Sequence, residues 1–365
     1  LTIHYLTIHE QYIQRCIQLA EPAAGHVAPN PMVGAVLVHD EQIIGEGYHQ
    51  QYGEAHAEVN CIADAQTRLA GKPFSNIIAQ STLYVSLEPC AHYGKTPPCA
   101  DLIIRHKIPK VVIGCRDPFK EVDGKGIEKL KAAGVEVIDG VLEKECKELN
   151  KRFFTFHTQH RPYIILKWAE TGDGFIAASP QRRGAYENSA IERLFISNEY
   201  SNRLIHKWRS EEAAILVGTN TAIDDNPELT TRLWPGNSPV RLVVDMHLRL
   251  PSFLKVFDKR IKTIIFNSAR HEEDGNLLYY QVTEDVSVVH QIVNALYHLK
   301  IQSVIVEGGA KLLQSFIDEE TWDEARVITN RELAIGEGLP APLLANTFKN
   351  QEINIFSDRI KIYKH

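Results

Sequence analysis

No apolar run in this 365-residue chain approaches the ~18–20 residues that a helix needs to span a bilayer, so no membrane role is expected. No stretch of five or more basic residues occurs, and the net charge is -6. That argues against a broad phosphate-backbone footprint and against nucleic acid as a partner. A small phosphorylated substrate needs only one or two cations and stays open. The segment Leu1–Glu10 lacks a basic stretch followed by an apolar one, so it does not read as a signal peptide. Internal repeats and low-complexity tracts are also missing. Cysteine is sparse, with six in the chain. Without an export signal these do not suggest a disulfide framework, and a reducing, cytoplasmic location is expected. Cys16, Cys61, Cys115 and Cys146 read as small buried hydrophobes.

What is present is ordinary globular material, 44% apolar and 24% charged. The length exceeds one core and suits two domains. Tyr12, Ile13, Cys16, Ile17 and Ala20 follow helical spacing, which predicts an amphipathic helix over residues 9–20. Short β-branched runs at Val33–Val38, Thr82–Leu87 and Val111–Gly114 read as buried strands, with helices at Ala55–Ala70, Cys99–His106 and Gly126–Ala133 between them. Alternation of this kind implies a layered α/β domain. Glu143–Phe156 reads as one connecting helix, and the polar, proline-ended segment Thr158–Pro162 as the join, giving domains of residues 1–157 and 158–365. The second half repeats the style. Strands are expected at Tyr163–Trp168, Ala214–Gly218, Val240–Asp245, Thr263–Phe266 and Ser303–Glu307, and helices at Asn198–Arg209, His290–Lys300 and Ala310–Glu319. The tail Ile353–Tyr363 reads as one or two strands.

His56-Ala57-Glu58 opens one predicted helix, Pro89-Cys90 follows a strand, and Pro98-Cys99 opens the next helix. One imidazole and two thiolates make a three-ligand set for zinc, which leaves a fourth tetrahedral position for water. Such water becomes available as hydroxide near neutral pH. Helix N-termini at His56 and Cys99 favour thiolate and anion. Glu58, two residues from a ligand, can reach the same water and carry its proton to a leaving amine. Base deaminases combine H-x-E with P-C-x-x-C and use that Glu as the acid/base. Here the cysteines are nine apart, Cys90 and Cys99. Each piece alone fits a buried histidine or core cysteines; the order of all three points to catalytic zinc.

With these residues in view the chain resembles the bifunctional riboflavin-biosynthesis deaminase–reductases over nearly its whole length. Ala28-Pro-Asn-Pro-Met-Val-Gly34, Gly45-Glu-Gly-Tyr-His49, His56-Ala-Glu-Val59 and Glu88-Pro-Cys-Ala-His-Tyr-Gly-Lys-Thr-Pro-Pro-Cys99 carry the likeness, and the long cysteine insert is that family's own variant. The resemblance implies an N-terminal cytidine-deaminase-like α/β/α domain and a C-terminal dihydrofolate-reductase-like α/β domain. It implies Zn2+ and NADPH as cofactors, a phosphorylated pyrimidine as the small-molecule substrate, and a homo-oligomer. The first reaction would replace the C2 amine of a diaminopyrimidinone ribosyl phosphate by oxygen. The second would turn its ribosyl group into a ribityl chain.

Carried over by resemblance, His92 and Lys95 hold the substrate, Lys95 as a point charge for phosphate. Asn30 suits the pyrimidine edge. Asp117 matches the family's Arg-Asp-Pro-Asn stretch, which here reads Arg116-Asp117-Pro118-Phe119. In the second half no Gly-x-Gly-x-x-Gly follows the first strand, which excludes a Rossmann fingerprint. Instead Val304-Ile-Val-Glu-Gly-Gly309 runs from strand to helix, and Gly308 and Gly309 let backbone amides approach a cofactor phosphate. Thr221, Asp225, Leu229 and Arg232 match the family spacing Thr-x3-Asp-x3-Leu-x2-Arg, the first two toward cofactor and the last two toward substrate. Arg209 and Glu307 match substrate positions, Lys167 a catalytic one, and Ala169 and Phe195 cofactor positions. Two stretches depart from the family: Thr171-Gly-Asp-Gly174 stands for Ser-Leu-Asp-Gly, and Arg193-Leu-Phe-Ile-Ser197 for Ser-x-Trp-Ile-Thr.

Three other readings compete. A tRNA-type base deaminase with an accessory domain would share the chemistry, but the acidic balance and long cysteine spacing oppose it. A zinc-stabilised metabolite-binding protein would need no Glu58. The third reading is that only one half is active.

Overall fold

The computed structural model describes residues 6–93, 97–119, 123–178 and 194–365. Thr7 starts the first helix. Its hydroxyl accepts from the Glu10 amide, and the Glu10 carboxylate accepts from the Thr7 amide at 2.7 Å, a reciprocal cap. Helix α1 (Ile8–Ala20) then buries Tyr12, Ile13, Cys16, Ile17 and Ala20, as the spacing predicts. Contacts divide the chain into two compact units, Leu1–His160 and Arg161–His365.

In the first unit, β1 (Gly34–His39), β2 (Gln42–Tyr48), β3 (Thr82–Leu87), β4 (Lys110–Cys115) and β5 (Glu136–Asp139) form one sheet in the order β2-β1-β3-β4-β5. The β3–β4 and β4–β5 pairs are parallel; the other two are antiparallel. Helices α2 (Ala57–Arg68), α3 (Phe74–Ile78), α4 (Cys99–Arg105) and α5 (Lys125–Ala132) intervene in the chain, and α6 (Glu143–Leu149) and α7 (Lys151–Gln159) end the unit. Strand side chains alternate between faces. Ala35 and Leu37 pack with Cys61, Ala65, Ile103 and Leu130, while Val36 and Val38 pack with Ile13, Cys16 and Cys146. Both faces are covered, which makes a three-layer α/β/α unit. Edge strands β2 and β5 escaped the sequence reading because neither has a continuous apolar run.

Two glycines in β2 explain how α2 is seated. A Cβ on Gly45 would lie 2.5 Å from the Cys61 carbonyl, and one on Gly47 2.3 Å from the Cys61 nitrogen. Only glycine lets the helix lie backbone to backbone on this strand. The expected single helix over 143–156 is two helices. At Asn150 (φ -105, ψ 23) the chain leaves helical geometry. The buried carboxamide turns to the Met32 backbone instead, donating to its carbonyl and accepting from its amide, both at 2.8 Å. α7 then runs through to Gln159, and His160 ends it in the left-handed region.

The second unit holds a ten-stranded sheet. Its elements in chain order are β6 (Tyr163–Thr171), β7 (Phe175–Ala178), α8 (Glu199–Glu211), β8 (Ala214–Gly218), α9 (Thr219–Asp225), β9 (Val240–Val244), β10 (Thr263–Asn267), β11 (Glu272–Asp274), β12 (Leu277–Gln281), α10 (Val288–His298), β13 (Ser303–Val306), α11 (Ala310–Asp318), β14 (Glu324–Asn330), β15 (Gly338–Pro340), β16 (Phe348–Ile355) and β17 (Asp358–Lys364). The order is β11-β12-β10-β9-β8-β13-β6-β14-β17-β16, parallel from β12 to β14 and antiparallel at both edges. The tail is a hairpin of two strands. Ile164, Leu166, Leu216 and Val306 face one core cluster, and Tyr163, Ile165, Ile215 and Ile305 the other. No helix among the described residues is long and apolar enough to cross a membrane.

Asn150 ties the α6–α7 junction to the segment that bears Asn30. Asn150→Ala leaves two backbone groups of Met32 without partners, so the unfolding transition of the first unit should lose about 2–4 kcal/mol in urea titration. A loss near zero would show that water replaces the carboxamide at no cost.

Candidate active sites

The parallel strands β3 and β4 end on the same side of the first sheet, where loops of an α/β unit gather functional groups. Glu88-Pro89-Cys90 leaves β3, Asp117 follows β4, and the first turns of α2 and α4 bring His56, Glu58 and Cys99. His56 Nδ1 lies 3.6 Å from Cys90 Sγ and 3.4 Å from Cys99 Sγ. All three ligand atoms fall within 4.8 Å of one another. Zinc with Zn–S near 2.3 Å and Zn–N near 2.0 Å at tetrahedral angles separates N from S by about 3.5 Å. The donor set therefore fits zinc in both chemistry and spacing.

The Cys99 backbone amide donates to Cys90 Sγ at 3.3 Å. The Cys99 thiol, above all, holds the Cys90 thiol down at about 4 against the effect of burial, with His56 and this amide adding to it. Glu58 is 3% exposed. Burial pushes its carboxyl above the usual range, and the neighbouring Cys90 thiolate adds to this. A carboxyl that holds its proton readily, close to the three ligand residues, has the character of a proton carrier.

Sequence reasoning quoted His49 in a motif and gave it no role. It is 2% exposed, and its ring stands edge-on to His56 with centroids 5.4 Å apart. Nδ1 lies 3.0 Å from the Ala55 carbonyl and can only donate there, so Nε2 accepts from the Asn30 carboxamide at 3.2 Å. One neutral imidazole thus orients both Asn30 and the backbone before His56. Burial accordingly lowers its pKa. His92 Nδ1 is buried with no partner among the described residues. Its ring meets Phe119, which leans on His157 in turn. Asp117 is buried and pushed up to about 7, chiefly by desolvation. Lys95 and Arg193 lie outside the described residues.

In the second unit Glu307 directly follows β13, and Lys167 lies on the adjacent strand β6. Lys167 Nζ is 3.5 Å from Glu307 Oε2, and Arg209 of α8 grips both Glu307 oxygens at 2.8 Å. Burial alone would raise the Glu307 pKa; Arg209 and Lys167 outweigh it and hold the carboxyl at about 2. His206, one turn before Arg209, accepts from the Arg232 amide at 3.1 Å. Burial and the nearby Arg209 keep it neutral, with a pKa of about 4. Arg232 itself is exposed. Leu229 has φ 54 and is buried, 2% exposed, in the core cluster that also holds Trp208 and Val217.

Gly308 and Gly309 form the turn into α11. A Cβ on Gly308 would lie 2.9 Å from Thr221 Cγ2, and Gly309 has φ +79. Thr221 thus packs on the glycine turn, while Asp225 ends the same helix α9, exposed. Ala169 is half-buried on β6, and Phe195 is 70% exposed.

The Arg209–Glu307–Lys167 group generates a pH prediction. The folded pKa of Glu307, about 2, lies below its usual 4.5. The ion group therefore stabilises the unit fully above pH 4.5 and loses that contribution as pH falls toward 2. The stability gap between wild type and Glu307→Gln should shrink over this window in denaturant titrations that follow the second unit. A gap independent of pH would show that the carboxylate charge is not what the cations hold.

Known proteins match in both units. Residues 6–115 match the family model described as the cytidine and deoxycytidylate deaminase zinc-binding region, and residues 162–337 that of the RibD C-terminal domain. The chain is 40% identical over 337 residues to the riboflavin biosynthesis protein RibD of Aquifex aeolicus, covering 91% of this chain and 89% of that one. It is 31% identical over 335 residues to RibD of Escherichia coli, covering 86% and 85%. The solved diaminohydroxyphosphoribosylaminopyrimidine deaminase/5-amino-6-(5-phosphoribosylamino)uracil reductase of Thermotoga maritima matches with a TM-score of 0.84, 35% identity and 98% of both chains. These matches do not favour the tRNA deaminase alternative. The chain belongs to the RibD family of bifunctional riboflavin-biosynthesis enzymes, a zinc-dependent deaminase joined to an NADPH-dependent reductase.

Proposed function

We propose that the first unit removes the C2 amine of 2,5-diamino-6-(ribosylamino)-4(3H)-pyrimidinone 5'-phosphate, and that the second reduces the ribosyl group of the product to a ribityl chain. The observation that carries the first step is the His56–Cys90–Cys99 donor set with buried Glu58 beside it. When bound there, zinc supplies a water that ionises near neutral pH. Glu58 takes a proton from the water side and returns it to the departing amine, so that oxygen enters at C2 and ammonia leaves. Asn30, His92 and Asp117 hold the pyrimidine, and Lys95 the phosphate.

In the second unit NADPH supplies the hydride when bound, and the protein supplies placement and charge. Gly308 and Gly309 at the start of α11 offer backbone amides to a cofactor phosphate. Thr221, Asp225, Ala169 and Phe195 complete the cofactor side. Lys167, held by Glu307, presents a fixed cation where the sugar carbon is reduced, with Arg209, Arg232 and Leu229 on the substrate. The same reading includes a cytoplasmic location and assembly with further copies of the chain, which sedimentation of the purified protein checks.

Supplying the diaminopyrimidinone substrate with NADPH, and following ammonia and NADPH absorbance separately, tests both steps. Cys90→Ser/Cys99→Ser should lose zinc by elemental analysis; wild-type zinc in that variant would remove these ligands from the assignment. Glu58→Gln should abolish ammonia release with zinc nearly intact, and should still reduce substrate supplied already deaminated. Lys167→Ala should cut reduction tenfold or more, a barrier of ~1.4 kcal/mol or greater, while ammonia release continues. Parallel loss of both activities in either single variant would mean that the two halves share one site.

A further inference from the structure

Glu88 is a buried carboxylate to which the chemistry above gives no task. It is 3% exposed, and no cation among the described residues pairs with it at salt-bridge distance. Its partners are four backbone amides, all from the segment after β4. Oε2 accepts from Asp117 at 3.3 Å and Gly124 at 3.1 Å; Oε1 accepts from Gly126 at 2.9 Å and Ile127 at 3.2 Å. The last two belong to the first turn of α5, where amides lack partners within the helix. Glu88 is anchored in turn, its own amide donating to the Cys115 carbonyl at 3.0 Å.

The fit around this carboxylate is close. A Cβ on Gly126 would lie 2.0 Å from the Pro89 carbonyl oxygen, so the start of α5 rests directly on the residue before Cys90. At the other end of the segment Asp117 accepts from the Phe119 amide at 2.8 Å, and the Phe119 ring stands against His92. One side chain therefore joins the strand end that carries Cys90 to the segment that carries Asp117 and Phe119. Four donors and no acceptor face it, an environment that suits a carboxylate and not an amide.

We propose that Glu88 is a positioning residue for deamination, clamping Asp117 and the start of α5 against the strand end that carries Cys90, so that Asp117 is held for the pyrimidine. The inference rests on the reading of the first unit as the deaminase. The four bonds end on Asp117 and the start of α5, and none ends on His56, Cys90 or Cys99, so the clamp acts on the substrate residue Asp117 and not on metal retention.

The test uses the full zinc-loaded chain as wild type, Glu88→Gln and Glu88→Asp. Glu88→Gln keeps the shape, but its NH2 group meets amide donors. KM for the diaminopyrimidinone ribosyl phosphate should rise about tenfold, with kcat changed less, as charge-assisted hydrogen bonds are lost. Zinc content and NADPH oxidation with deaminated substrate should match wild type. Amide exchange at Asp117, Gly124, Gly126 and Ile127 should quicken. Glu88→Asp keeps the charge on a shorter arm that reaches one donor pair, so its KM should fall between the two, and it carries the test if Glu88→Gln does not fold. KM within twofold of wild type in the folded variants, or zinc loss in step with activity, overturns the clamp. Absence of ammonia release from the wild type would sink the deaminase reading itself, whereas a normal wild type with unmoved variants sinks only the role of Glu88.

Discussion

A carboxylate taken out of water must recover its lost hydration from donors or cations, or else hold a proton. Three buried glutamates meet this constraint in three ways, and both candidate sites are built around the answers. Glu307 is met by cations, Arg209 and Lys167, and becomes a firmly ionised anchor. Glu88 is met by backbone amides and becomes a clamp. Glu58 sits beside a thiolate and a metal-ligand set, and its pKa rises. The same residue type thus meets cations, backbone amides or a thiolate, and the difference lies in what surrounds it.

The packing that brings these groups together depends on close backbone approach. Gly45 and Gly47 let α2 lie against β2, which fixes where its first turn delivers His56 and Glu58. Gly308 lets Thr221 pack on the turn into α11, and Gly126 lets α5 rest on Pro89. Gly308 and Gly126 stand where a helix start approaches a strand end, the place in α/β units where ligands bind. Histidines take the second supporting role. His49 and His206 are both buried with lowered pKa, and each uses a neutral ring to accept a hydrogen bond that orients a site residue.

The sequence by itself determined the layers and the donor set. Buried strands such as Thr82–Leu87 and Ala214–Gly218 show as continuous apolar runs because both their faces are covered, and α1 shows through its 3.6-residue period. His56, Glu58, Cys90 and Cys99 were legible because zinc chemistry restricts residue type and places ligands at helix starts and strand ends. Short edge strands, the break at Asn150 and the tasks of Glu88 and His49 were decided only by tertiary structure. The last three turn on hydrogen bonds between residues separated in the chain: Asn150 to Met32, Glu88 to Gly126, His49 to Asn30. Local pattern reports which face a residue prefers to bury. It does not report which distant amide or imidazole a buried polar atom will meet, because that partner exists only once the sheet has brought the loops together.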